Sequence, residues 1–257
     1  MLKIDRQKAI EEELRAHGSV LISDMSQKLD CSEETIRRDL KEMEKEKKLA
    51  RIHGGAFLPE EHDKSVPIQL RETFFSTEKE RMASHVMKNY IQEEDIIMLD
   101  CSTTCLTLAK QLLLSNMKLT IITNSLCICN LFSTASTNKV KLICLGGTLR
   151  QRSSSYIGYQ TTQALSTYLA DKCFISCPAI DMKHGLIDNN MNEGQIRKGY
   201  IHQARQRFLV ADHTKFSEKS DVIITGLKDL DVVITNKPLS KSWEQTLQDA
   251  NLFIDYC

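Results

Sequence analysis

Apolar residues recur at helical spacing up to Met43 and in short strand-like runs through much of the rest. Ile10 and Leu14 stand one turn apart in a helix predicted from about Asp5 to Ala16, and Gly18 supplies its stop. Met25 and Leu29 repeat that spacing in a second helix, which Ser23 is placed to cap. Asp30-Cys31 then makes a short turn. Ser32 caps a third helix, Glu33 and Glu34 favour its positive N-terminal end, and Ile36, Leu40 and Met43 form its apolar stripe. At about 100° per residue, that stripe turns Arg37, Arg38, Lys41 and Lys45 outward. Residues 49–57 read Leu-Ala-Arg-Ile-His-Gly-Gly-Ala-Phe, two short runs about a Gly-Gly turn. They predict a β-hairpin with Arg51 and His53 pointing out of it.

Beyond residue 75 the pattern changes. Short, β-branched apolar runs fall at 95–100, 119–123, 140–145, 172–177, 207–211, 221–225 and 231–235. Helical patterns lie at 78–91, 104–114, 126–133, 160–169, 192–206 and 241–250. Apolar runs alternating with helices predict an α/β domain whose mostly parallel sheet is buried on both faces. Pro59 and Pro67 bracket a charged, aperiodic stretch. Residues 1–58 are therefore read as a head, 59–75 as a linker and 76–257 as the larger domain, with Phe74-Phe75 expected to dock on the latter.

Composition narrows the function classes. Lys plus Arg and Asp plus Glu are both 34, so the net charge is zero and no global basic excess argues for nucleic acid. The hydrophobic share of 41% is ample for a core and excludes a disordered polyelectrolyte. Apolar runs reach about six residues, far short of the ~20 that span a bilayer, and no signal-peptide core follows Lys3. The expectation is a soluble, cytoplasmic protein with no membrane partner. Nine cysteines without a Cys-x-x-Cys pair read as reduced, mostly buried small hydrophobes. Scattered histidines, and the lack of any Walker or Gly-x-Gly-x-x-Gly motif after a strand, lead to the expectation of no metal and no cofactor.

Local charge matters more than the sum. The head is neutral, yet Arg37, Arg38, Lys41, Lys45, Lys47, Lys48 and Arg51 crowd into residues 35–51. Short helices joined by a tight turn, a basic outer face on the last and a hairpin after it form a winged helix-turn-helix pattern. Ser32, Thr35, Arg37, Arg38, Lys41, Lys45, Arg51 and His53 are the candidate contacts to double-stranded operator DNA. A solvated helix face is the plainer reading of Arg37-Arg38 alone. One recognition helix covers few base pairs, so a homo-oligomer reading two half-sites is expected.

In the larger domain, small, hydroxylated or charged residues follow the strands: Asp100-Cys-Ser-Thr-Thr104, Asn124-Ser125, Gly146-Gly-Thr-Leu-Arg150, Asp181 with Gly185, and Asp212-His-Thr-Lys215. In open α/β sheets the carboxyl edge is where ligands bind. Ser102, Thr103 and Thr104 lead into a helix, where free N–H groups and hydroxyls make an anion site, with phosphate the obvious candidate. An ordinary helix cap is the alternative for Ser102 or Thr103, and an ordinary turn for Gly146-Gly147.

Cys31-Ser-Glu-Glu-Thr-Ile-Arg-Arg-Asp-Leu40 followed by Arg51-Ile-His-Gly-Gly-Ala56 resembles the N-terminal signature of the DeoR family of bacterial transcriptional regulators. Asp100–Thr104, Thr123-Asn124-Ser125, Leu145–Arg150, Gly158 and Ala211–Phe216 also match family positions. The resemblance implies a winged helix-turn-helix followed by a domain similar to ribose-5-phosphate isomerase that senses a phosphorylated sugar. It implies that Ser102, Thr103 and Thr104 hold phosphate while Asp181, Glu193 and Lys215 line the sugar end. Ser102 stands where the family favours glycine, Cys177-Pro178 where it tends to have Gly-Ala, and Thr235-Asn236 where Thr-Asp is usual. The expected function is a DNA-binding regulator, most often a repressor in this family, modulated by a phosphorylated sugar and not itself an enzyme. The alternatives are a sugar-phosphate isomerase-type enzyme, with Glu193 as its base, and a DNA-binding architectural protein without a ligand.

Overall fold

The computed structural model describes residues 1–52, 54–58, 65–135, 139–217 and 220–257, and the chain divides between Phe74 and Phe75 into two units. The first holds α1 (Lys3–His17), β1 (Ser19–Leu21), α2 (Ile22–Lys28), α3 (Glu33–Lys45), β2 (Ala50–Ile52), β3 (Gly55–Phe57) and α4 (Ile68–Thr73). Ile10, Leu14, Met25, Ile36, Leu40 and Met43, the residues whose spacing defines the helices, close one core. The hairpin forms, with Arg51 opposite Ala56, but Gly55 pairs with Ile52 inside β3 and does not belong to the turn. A strand the pattern did not reveal, β1, joins it to give the order β1-β3-β2.

Two other local expectations fail here. Ser23 does not cap α2, because the chain passes straight from β1 into the helix. Leu21 occupies the cap position, Ile22 N donates to Gly54 O at 2.9 Å, and the Ser23 hydroxyl turns to Asp24. Residues 65–73, read as linker, instead carry α4, which packs on β1 and buries Ile68 and Leu70 completely enough to belong to the first unit. The charged start of that stretch masked the apolar pair at its end. His53 and residues 59–64 lie outside the described residues.

The second unit runs α5 (Ser76–Tyr90), β4 (Ile96–Leu99), α6 (Thr103–Ser115), β5 (Leu119–Thr123), α7 (Leu126–Ser133), β6 (Val140–Cys144), β7 (Thr148–Arg150), β8 (Ser155–Ile157) and α8 (Tyr159–Ser166). It continues with β9 (Ala170–Ile175), β10 (Ala179–Asp181), β11 (Gly185–Asp188), α9 (Met191–His202), β12 (Ala204–Val210), β13 (Val222–Thr225), β14 (Val232–Thr235), α10 (Lys241–Asp249) and β15 (Phe253–Tyr256). Seven strands pair in parallel in the order β15-β14-β12-β9-β4-β5-β6. Alternate residues feed two cores. Ile97, Leu99, Phe174 and Phe208 join Met82, Val86, Leu106 and Leu112 on one face. Met98, Cys173, Ile175 and Leu209 join Leu165, Tyr200, Trp243 and Leu247 on the other.

From β4 the chain builds outward through β5 and β6, then returns to lay β9 on the other side of β4. The switch in direction opens a crevice between the carboxyl ends of β4 and β9, the usual ligand position in such sheets. The 221–225 run, expected in the parallel sheet, instead forms β13 in a separate antiparallel sheet of order β10-β11-β13, and Ile223 is exposed. A short apolar run fits a buried parallel strand or an edge of a small sheet equally well. The three-residue strands β7, β8 and β10 are too short to leave a period, and β11 and β15 went unread as well.

Candidate DNA-reading face and ligand site

The Ser32 hydroxyl accepts from Thr35 N at 3.3 Å and lies 2.9 Å from the Thr35 hydroxyl, so both side chains serve first to begin α3. Arg37, Arg38, Lys41 and Lys45 are all exposed on the same helix. Arg37 is drawn back along α3 by Glu33 at 2.5 Å, while Arg38, Lys41 and Lys45 form no ion pair among the described residues. Arg51 on the wing is tied to α3, its N and Nε donating to Glu44 at 3.1 and 2.8 Å. Those bonds hold the Glu44 carboxyl below its usual range. One polar residue missed from the sequence fixes the helix in place. Asp39 is buried, and Arg6 of α1 donates to both its oxygens at 2.7 and 3.2 Å. A carboxylate beside the apolar stripe of α3 was the signal for it.

In the second unit, Asp100, Ser102, Thr103 and Thr104 meet at the switch point, all buried. Asp100 Oδ1 accepts from Ser102 N at 3.0 Å and shapes the loop; Oδ2 accepts from Ser176 N at 3.2 Å across the crevice to β9. Ser102 Oγ caps α6 by accepting from Cys105 N at 3.1 Å. The hydroxyls and N–H groups of Thr103 and Thr104 are left without partners among the described residues. These donors stand at the positive end of a 13-residue helix.

The neighbouring loop residues differ in availability. Asn124 is buried and exchanges two hydrogen bonds with the Tyr200 hydroxyl, at 2.8 and 3.0 Å, while its Nδ2 donates to Tyr156 O. Ser125 caps α7. The N-terminal end of α7 is further closed by Leu126 N donating to Ser154 O at 2.8 Å. Gly147, at φ +119°, lies so close to Thr161 that a Cβ would come within 2.0 Å of its hydroxyl. Gly146 O accepts from that same hydroxyl at 2.7 Å.

Arg150 and Glu193 come together, but chiefly with each other. Arg150 Nη1 donates to Glu193 Oε1 at 2.8 Å and to Ser153 Oγ at 2.7 Å, and Ser155 Oγ donates to the same Glu193 oxygen at 3.3 Å. Arg197, which the sequence reading missed, is the centre of this network. It is buried, with Nε 3.0 Å from Asp100 Oδ2, Nη1 paired with Asp188, and Nη1 3.5 Å from Glu193 Oε2. Burial alone would lower its pKa. The carboxylates of Asp188, Asp100 and Glu193 outweigh that and hold it well above its ordinary value. The Glu193–Arg197 spacing of one helical turn was the available signal.

Asp181 does not join this group through hydrogen bonds. Half-exposed, it accepts from Lys183 N and His184 N at 2.8 and 2.7 Å, which closes the β10–β11 turn and lowers its pKa. Lys215, half-buried in the turn His213–Ser217, forms no ion pair among the described residues. Its charge reaches the Cys177 thiol at the end of β9. Burial pushes that thiol up to about 12, and Arg197 and Lys215 pull it the other way. Lys215 is thus a cation near the carboxyl end of β9 that forms no ion pair among the described residues. Thr235 Oγ1 and Asn236 Nδ2, at the end of β14, are buried without partners among the described residues.

A winged helical head and a sheet with donors gathered at its switch point define a class: a DNA-binding unit joined to a sensor. The family model of the DeoR-like helix-turn-helix domain matches residues 6–62, and that of the DeoR C terminal sensor domain matches residues 75–237. The chain belongs to the DeoR family of transcriptional regulators. It is 33% identical to the HTH-type transcriptional regulator YulB of Bacillus subtilis, over 97% of this chain and 95% of that protein. It is 29% identical to the glycerol-3-phosphate regulon repressor of Escherichia coli over the whole of both, and 30% identical to the L-fucose operon activator of that species, over 92% of this chain and 96% of that protein. Among solved structures, ribose 5-phosphate isomerase A of Methanocaldococcus jannaschii shares 15% identity with a TM-score of 0.41 over 56% of each chain, too slight a likeness to carry chemistry across.

Proposed function

We propose that this regulator is a cytoplasmic repressor of carbohydrate-metabolism genes, acting as a homo-oligomer on double-stranded operator DNA and answering to a phosphorylated sugar. Among the described residues no helix is long and apolar enough to cross a membrane. The observation that carries the ligand reading is the set of unpartnered donors on Thr103 and Thr104 at the start of α6. A phosphate there meets N–H groups, hydroxyls and the helix dipole together. Lys215, which forms no ion pair among the described residues, supplies the cation for the sugar end. The ligand favours one of two arrangements of the chain, and operator affinity follows that population.

The same geometry favours a sensor over an enzyme. Glu193, the base an isomerase reading needs, is engaged by Arg150, Ser155 and Arg197, and Asp100 and Asp188 are engaged by Arg197. A general base must be free to take a proton. The test combines thermal unfolding of the full chain across a panel of phosphorylated sugars with operator binding and turnover assays. A ligand at 100 times its Kd raises stability by about 2.7 kcal/mol. Thr104→Glu, which puts a carboxylate where the phosphate goes, should abolish the shift and the operator response while leaving operator binding in place. An unchanged shift in Thr104→Glu moves the phosphate elsewhere, to Gly146-Gly147. Turnover that Glu193→Gln eliminates overturns the sensor reading.

A further inference from the structure

Four side chains share the outermost stripe of α3, and one of them is an acid. At about 100° per residue, Glu34, Arg38, Lys41 and Lys45 all lie within about 50° of the direction opposite the buried Ile36–Leu40–Met43 stripe. Arg37 sits about 90° away on the flank. Glu33 is turned toward that flank, where it pairs with Arg37 at 2.5 Å. Glu34 is different. Its side chain is 72% exposed, its nearest cation is Arg37 at 3.7 Å, and it occupies the first turn of the helix. In helix-turn-helix proteins the first turns of the recognition helix reach the base edges.

A carboxylate in that position cannot be neutral toward sequence. It approaches a groove walled by phosphates, and it only accepts hydrogen bonds. In the major groove, guanine offers two acceptors, thymine an acceptor and a methyl group, and adenine a donor beside the N7 acceptor. Cytosine offers its N4 amino donor without an acceptor beside it. We infer that Glu34 is a specificity-determining residue of this regulator, selecting a cytosine in each operator half-site by accepting from its N4 amino group. Arg38, one turn along the same stripe, reads or clamps the neighbouring position. The inference rests on α3 being the helix that enters the major groove.

The experiment is selection from a random-sequence duplex library by the full-length protein, followed by affinity measurements on the enriched site and its single-base variants. Wild type should enrich a half-site with a fixed C·G pair, and replacing that pair should weaken binding about tenfold. Glu34→Ala should flatten preference at that position alone, with the remaining positions unchanged. Glu34→Gln, which keeps the shape and adds donors, should admit adenine there, since a glutamine amide matches adenine N6 and N7. A Glu34→Ala profile superimposable on the wild-type one, or one that changes at a position not occupied by C·G, overturns the assignment to Glu34. Arg38→Ala run in parallel separates the levels. If it changes the profile while Glu34→Ala does not, α3 still reads DNA and only the role of Glu34 fails. If neither variant changes the profile or the affinity, α3 is not the reading helix and the inference falls with it.

Discussion

The two regions that carry function use charge in opposite ways. On α3 and the wing, Arg37, Arg38, Lys41, Lys45 and Arg51 stand in solvent, held at most by pairs such as Arg37–Glu33 and Arg51–Glu44. Water and salt screen such pairs, so they cost little to break when a phosphate arrives. Around the sensor crevice, Asp100, Asp188, Glu193, Arg150 and Arg197 are all buried. There a charge removed from water must be matched where it stands. The lesson is that a charged residue near a site is a ligand contact only if its neighbours leave it free. By that measure Arg38 and Lys215, which form no ion pair among the described residues, are the candidates for contact, while Asp100 and Glu193 are engaged by their neighbours.

The largest effect should come from breaking this contrast at its centre. Arg197→Met leaves Asp100 and Asp188 buried without their cation, and loss of one partner of such a network costs about 3–5 kcal/mol. For a unit of this size that lowers Tm by roughly 10 °C. Arg38→Ala, on the exposed helix, should change stability by no more than about 0.5 kcal/mol. It should weaken operator binding by about 1–3 kcal/mol. Thermal scans and DNA titrations on both variants read the difference. Equal, small losses of Tm would show that the buried network is not what holds the crevice.

A second contrast concerns backbone. Gly18 ends α1 at φ +74° with open space around its Cα, so Gly18→Ala carries only the left-handed penalty of about 1 kcal/mol. Gly147 combines φ +119° with a Cβ position 2.0 Å from the Thr161 hydroxyl and 2.9 Å from Ile157 O. Gly147→Ala should therefore cost more, about 2–3 kcal/mol, and displace the loop that precedes Arg150. Gly147→Ala as mild as Gly18→Ala in chemical denaturation would mean the loop relaxes freely and does not frame the site.

The head was legible almost throughout, because its helices are long enough for Ile10–Leu14 and Ile36–Leu40–Met43 to repeat and because Ser32 does cap α3. What escaped was non-local: β1, whose partners lie near residue 56, and α4, whose Ile68 and Leu70 pack on that strand. In the second unit the parallel strands other than β15 announced themselves as apolar runs. The antiparallel β10 and β11 did not, being brief, while the run that became β13 was read as a strand of the parallel sheet because it looks like those strands. Residue types at the site were equally readable, but their partners were not. Nothing in the order of residues says that Arg197 reaches back 97 positions to Asp100, or that Asn124 is consumed by Tyr200.

The smallest effect tests whether surface pairing restrains the wing at all. Arg51 donates N and Nε to Glu44, and these bonds lower the carboxyl pKa. The pair's contribution is therefore present above the usual glutamate range and is lost as pH falls through the lowered value. At neutral pH it is intact, yet for so exposed a pair it is worth less than about 1 kcal/mol. Glu44→Gln keeps an acceptor for Arg51 N and removes the opposing charge. Stability should hardly change, but the freed guanidinium should strengthen binding to any duplex several-fold. It should also steepen the slope of log affinity against log salt by about 1, as one more phosphate contact does. The gain must be the same for operator and random duplex, because a phosphate contact carries no sequence information. A gain confined to the operator would place Arg51 at a base edge, and no gain at either would mean that Glu44 was never competing with DNA for it.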